Sequence, residues 1–246
     1  LDLVAKTLLN PEDVALVEAP TFLATIQCFR LYGPKVIGVP IDAHGVQVDK
    51  LESMMQQHKP KLVYVIPTFG NPSGALLTKE RRLKILQLSV QYKTIVIEDD
   101  PYGDLYFGEA PPPSMLALSD QVPGSRDWLV HCGSLSKVLS PGLRVGWTLV
   151  PPSLKEKLVI ASESSILCPS NFTQLTISSY LADQPWRDQI ASFCDLYKVR
   201  RDAMLESLEE YFPATAQWTK PGGGFYVWVT LPPEIDTTAL MPKAIV

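Results

Sequence analysis

Four cysteines in 246 residues, Cys28, Cys132, Cys168 and Cys194, form no CxxC pair, and the three histidines, His44, His58 and His131, lie far apart. That spacing argues against a metal site, and a chain this long needs no disulfide staples, so reduced thiols and no metal are expected. No GxGxxG or Walker pattern occurs, and Gly222 to Gly224 read as a tight strand opening rather than a phosphate loop. Apolar runs such as LVYVI and TIVI are far too short to span a bilayer, and no stretch has the order of a signal peptide. A cytoplasmic protein without membrane contact is expected. Lysine and arginine number 22 against 26 acidic residues, a net charge of -4, so the basic footprint that nucleic acid requires is missing. Internal repeats are absent too, and the 22 prolines sit in connections such as EAPPPS and TLPP.

What is present is a globular composition, 46% hydrophobic and 20% charged. Residue 1 is leucine, the opening LDLVAKTLL helix has no N-cap before it, and DTTALMPKAIV stops inside a new element. The sequence is therefore read as a piece of a longer chain. Apolar runs alternate with amphipathic segments, the pattern of an α/β sheet built through helical crossovers. Strands are expected at Val14 to Glu18, Lys35 to Ile41, Leu62 to Ile66, Thr94 to Glu98, Trp128 to Cys132 and Val145 to Val150. The last follows too closely for a crossover and should enter antiparallel to an otherwise parallel sheet with helices on both faces. Helices are expected at Thr21 to Leu31, Val48 to Gln57, Thr78 to Tyr92 with Thr78 as cap, Leu154 to Ala182 and Trp186 to Tyr211. TKPGGGFYVWVTLPP changes style and suits a strand of a second, small α+β unit. Residues 1–195 are assigned to the large domain and 196–246 to the start of the small one.

In open α/β sheets ligands bind beyond the carboxyl ends of the strands. There LVYVIPT leads to Asn71, TIVIED to Asp99 and Tyr102, and WLVHC to Ser134, Ser136 and Lys137, with Arg144 shortly after. Lysine can form an imine with an aldehyde, aspartate can hold a ring nitrogen protonated, and serine hydroxyls with an arginine fork can bind phosphate. That inventory suits pyridoxal 5'-phosphate. Bland readings compete at each position: Lys137 as a solvated residue, Asn71-Pro72-Ser73-Gly74 as a turn, Phe22 as core, Asp99 and Asp100 as a turn or cap. Arg144, leading into a buried strand, should have little access to water and need an anion.

Four ordered blocks, VEAPTFLAT, PTFGNPSG, IEDDPYGDLYF and GSLSKVLSPGLRVGW, together with PGGGFYVWV, span nearly the whole chain. Through them the sequence resembles the class I/II aminotransferases of the fold-type-I pyridoxal phosphate enzymes, in the branch of 2-aminoadipate, kynurenine and aromatic aminotransferases. The resemblance implies that Lys137 carries the internal aldimine and moves the α proton, making it catalytic together with Asp99 and Tyr102. Asp99, chosen over Asp100 for its spacing to Tyr102, would pair with the ring nitrogen. Tyr102 and Asn71 would donate to the ring 3'-oxygen, Ser134, Ser136 and Arg144 would bind the phosphate, and Phe22 would stack on the ring. Gly133 would let the chain turn. It further implies an amino acid and a 2-oxo acid as substrates and a homodimer. Relatives also have a Gly-Ser-Gln-like turn before the first helix and a later arginine for the substrate carboxylate, both outside this sequence.

Two other functions use the same residues. Some transcription regulators resemble a winged helix fused to an aminotransferase-like effector domain, but they carry tyrosine directly after the second aspartate of EDD, where this chain has EDDPY. Ser134-x-x-Lys137 also matches a serine-lysine acyl-enzyme motif, yet its companion elements are missing and Pro141 discourages a helix there.

Overall fold

The computed structural model describes residues 1–245, so Val246, the last residue of the expected small unit, lies outside the described residues. Helix α1 (Asp2–Leu8) leads into strand β1 (Val14–Ala19), helix α2 (Leu23–Arg30), strands β2 (Lys35–Asp42) and β3 (Gly45–Val46), and helix α3 (Val48–His58). Strand β4 (Leu62–Val65), helix α4 (Lys79–Tyr92), strand β5 (Ile95–Asp99), short helix α5 (Met115–Leu118) and strands β6 (Leu129–Ser134) and β7 (Gly146–Leu149) follow. The chain continues through helices α6 (Pro152–Ile166), α7 (Asn171–Asp183) and α8 (Trp186–Tyr211), a ribbon of β8 (Gln217–Trp218) and β9 (Val229–Thr230), and α9 (Thr237–Ala244).

Seven strands form one sheet in the order β3-β2-β1-β4-β5-β6-β7. Strands β2, β1, β4, β5 and β6 are parallel, and β7 runs antiparallel to β6, as expected for a strand that returns without a crossover. The two-residue β3 adds a second antiparallel edge that is too short to show as an apolar run. Successive strand residues feed opposite faces: Leu62 and Tyr64 pack on the side of α1, α2, α6 and α8, while Val63 and Val65 pack on the side of α3, α4 and α5. Helices therefore cover both faces, which is why the central strands are apolar throughout. Thr78 caps α4 as expected, accepting from Arg81 N at 3.3 Å.

Two expected elements differ. Leu154 to Ala182 is not one helix: α6 stops at Ile166, Leu167 leaves the helical region with φ 59, and Pro169 cannot donate to a helical ladder; Ser170 then caps α7 by accepting from Thr173 N at 3.2 Å. The glycine-rich segment is not one strand either. Only Val229–Thr230 pairs within the small ribbon, while Pro221 to Val227 runs as an irregular strap against the loops after β4 and β5.

Candidate active site at the carboxyl ends of the strands

Asp99 is the last residue of β5, where the parallel register sets it opposite Cys132. The Tyr64 hydroxyl, from the middle of β4, donates to Asp99 Oδ2 at 2.6 Å, and among the described residues no other hydrogen bond reaches this carboxylate. Burial, above all, raises the Asp99 pKa, opposed by the hydrogen bond from Tyr64. Tyr64 is itself held neutral, its pKa raised well above the usual value by burial first and then by the charge of Asp99. Sequence reasoning missed Tyr64. The signal was there, one tyrosine in an aliphatic strand, since a buried phenol needs a partner.

Asp100 points elsewhere. Its amide donates to Cys132 O at 2.9 Å, and its Oδ1 is buried without a partner. Burial and then the charge of Glu98 push its pKa up to about 6. Glu98, fully buried on the opposite face of β5 from Asp99, accepts from His131 Nδ1 at 2.8 Å and from the backbone of Met115 and Leu116, anchoring the start of α5.

Tyr102 is buried after β5, and Asn71 follows β4 in the turn that contains the cis Asn71-Pro72 bond. The two meet through a third residue: Asn71 Nδ2 donates to the Tyr226 hydroxyl at 3.1 Å, and the Tyr102 and Tyr226 rings lie edge to face at 6.1 Å. Tyr226 comes from the strap and was not singled out from sequence. The loop carrying Asn71 is held from beneath by Arg82, fully buried in α4, whose guanidinium donates to the carbonyls of Leu77, Pro67 and Pro113 and to the Thr68 hydroxyl. Four neutral acceptors and no ion pair explain why burial, first, lowers the Arg82 pKa.

Ser134 ends β6, and its Oγ accepts from Ser136 N at 3.1 Å. One helical turn follows, with Leu139 N and Ser140 N both donating to Leu135 O, and it carries half-buried Lys137. Among the described residues the Lys137 ammonium has no hydrogen bond or ion pair. Gly133 does not turn the chain; it lies inside β6, and a Cβ there would overlap the Trp147 indole from β7.

The premise for Arg144 also fails. Strand β7 is an exposed edge, with Trp147 48% and Leu149 49% accessible, and Arg144 is exposed, its Nη1 donating to Pro141 O at 3.0 Å. It nevertheless holds φ 55, a left-handed backbone uncommon for arginine, at the end of the Pro141–Leu143 turn. Phe22 is half-buried at the start of α2, packed against the core on that face, so the structure brings it to the sheet edge without separating the stacking role from the core role.

Comparison with known proteins agrees with this geometry. The model of the family "Aminotransferase class I and II" matches residues 1–245. Aromatic-amino-acid aminotransferase 1 of Thermococcus litoralis is 40% identical over 250 residues, covering 100% of this chain and 59% of that protein. The crystal structure of Pyrococcus horikoshii kynurenine aminotransferase, in complex with PMP, KYN as substrates and KYA as products, superposes with a TM-score of 0.94 at 40% identity, over 99% of this chain and 60% of that one. An uncharacterized HTH-type transcriptional regulator of Bacillus subtilis, YisV, is 34% identical over 230 residues, 94% of this chain and 46% of that protein. The chain thus spans about three fifths of the length of the enzymes it matches.

Proposed function

The chain belongs to the class I and II aminotransferases, and from that premise we propose that it is the cofactor-binding part of a pyridoxal 5'-phosphate-dependent transaminase that moves an amino group between an amino acid and a 2-oxo acid. One observation carries the reading: Asn71, Asp99, Tyr102, Ser134 and Lys137 follow three neighbouring parallel strands and so share one sheet edge. The donor set fits the cofactor. Among the described residues Asp99 has one oxygen engaged by Tyr64 and the other without a protein donor, which suits a protonated ring nitrogen, and the Lys137 amino group has no competing bond.

When bound, pyridoxal phosphate supplies an aldehyde that captures amines and a ring that accepts electron density. Lys137 would provide the amine for that aldehyde and, once displaced by the substrate amine, would take the proton from the substrate α carbon and deliver it to the former aldehyde carbon. Asp99 keeps the ring nitrogen charged, from a low-dielectric position where its charge acts strongly. Asn71 and Tyr102 donate to the ring oxygen, Ser134, Ser136 and Arg144 bind the phosphate, and Phe22 covers the ring face. Aromatic and kynurenine-like amino acids are the proposed donors, following the names of the two enzymes above. A homodimer belongs to the same proposal, supported by the apolar groups exposed on β7 and α7, Trp147, Leu149, Phe172 and Leu175. The proposed division at 195/196 falls inside the unbroken α8, which would link the large unit to the small one.

Titration of the full-length protein with the cofactor should give a visible absorption band that bleaches with an amino donor and returns with a 2-oxo acid. Asp99→Asn should still bind yet lose turnover by about 10²–10³-fold. No band, or parental turnover in Asp99→Asn, would overturn the assignment. The likeness to YisV supports a second reading, an effector domain of a transcription regulator. EDDPY at 98–102 weighs against it, and multiple turnovers in the assay above would exclude a purely sensory role.

A further inference from the structure

The strap brings one more side chain to the site. Phe107 N donates to Gly222 O at 2.7 Å, Gly224 N donates to Leu105 O at 2.8 Å, and Arg201 Nη1 donates to Pro221 O at 2.7 Å, so Pro221 to Gly224 is pinned on both sides. The approach leaves no room for side chains. A Cβ at Gly223 would overlap the Leu105 carbonyl oxygen and the Phe69 ring, and one at Gly74, in the Asn-Pro-Ser-Gly turn, would stand 2.7 Å from the Tyr226 carbonyl oxygen. The glycines of the turn and of the strap are therefore complementary. They fix Tyr226 against a loop residue 155 positions earlier, with its hydroxyl 3.1 Å from Asn71 Nδ2.

We propose that Tyr226 is a positioning residue for the cofactor's ring oxygen, holding the Asn71 amide and the Tyr102 ring in the orientation from which both donate to it. This rests on the reading of Asn71 and Tyr102 given above. A primary amide has two N–H donors, and with one committed to Tyr226 the other keeps a fixed direction. The Tyr102 hydroxyl is kept protonated, its pKa raised above all by burial, so it remains a donor at working pH. Donated hydrogen bonds favour the deprotonated form of the oxygen that accepts them. Loosening the donors should therefore raise the pH at which the bound cofactor's visible band titrates.

The test compares this pH midpoint in the holoenzyme of the parent, Tyr226→Phe, Asn71→Ser and the double variant. Tyr226→Phe, which removes one hydroxyl and keeps the ring, should raise the midpoint by about half a unit or more. Asn71→Ser should raise it as well, and in that background Tyr226→Phe should add much less than it does alone, because the two act through one hydrogen bond. An unchanged or lowered midpoint in Tyr226→Phe, or two shifts that simply add, would refute the role of Tyr226. A parent without any visible band would instead sink the cofactor reading itself, so the two failures are distinguishable.

Discussion

Glu18 buries a carboxyl group at the carboxyl end of β1, where Ile66 N donates to its Oε2 at 3.0 Å. Burial pushes its pKa from 4.5 up to about 7, against the pull of the Ile66 and Val46 amides. Because the folded state holds this proton more tightly than the unfolded chain, the stabilisation is complete below pH 4.5 and lost as the pH rises towards 7. The full displacement corresponds to about 3 kcal/mol. Asp100, pushed up to about 6, acts with the same sign. The urea midpoint of the parent should therefore fall between pH 5 and 8, and Glu18→Gln should flatten much of that slope. A slope that survives in Glu18→Gln would show that Glu18 ionises normally in the fold. The placement of Asn71, Asp99, Tyr102 and Lys137 at the sheet edge was legible in sequence, because each ends or follows an apolar run. Arg82 and Tyr226 were not legible, since what each does depends on a partner from another segment that no local pattern names; Tyr64 was marked only as a lone phenol in an aliphatic strand, with its partner Asp99 unnamed.

The loop from Pro67 to Leu77 shows how an element without regular structure is held. Three backbone bonds close within it, Leu77 N donating to Pro67 O among them, and Arg82 from within α4 adds donors to the Pro67 and Leu77 carbonyls. Arg82→Met should leave the Leu77 carbonyl without a donor and cost about 1–3 kcal/mol, read as a lower thermal or urea midpoint. Parental stability in that variant would mean that the loop keeps its shape without the clamp. An arginine on a helix reads from sequence as solvated, which is why the amphipathic pattern of α4 located the helix and its Thr78 cap but not this buried charge. The same limit hid the strap. Alternating aromatics suggest a strand, but Gly222 and Gly224 bond to the loop at Leu105 and Phe107, and Pro221 to Arg201, and such partners leave no periodic trace. Cys168-Pro169 was a visible breaker, passed over because the apolar pattern continues on both sides.

At the scale of the whole molecule, the parallel order β2-β1-β4-β5-β6 decides where chemistry can occur, because every parallel strand ends on the same edge. That order was legible as alternating runs, and the antiparallel turn of β7 followed from a connection too short for a crossover. The exposure of β7 was not: an apolar strand shows only that something can cover it, and among the described residues Trp147 and Leu149 remain accessible. No helix among the described residues is long and apolar enough to cross a bilayer. The proposed bond between the Lys137 amine and the cofactor aldehyde can be measured directly. The full-length protein is loaded with pyridoxal 5'-phosphate, reduced with borohydride, digested and mapped by mass spectrometry. The account predicts a single phosphopyridoxyl group, on the peptide containing Lys137. Modification of a different lysine, or of none, would contradict it.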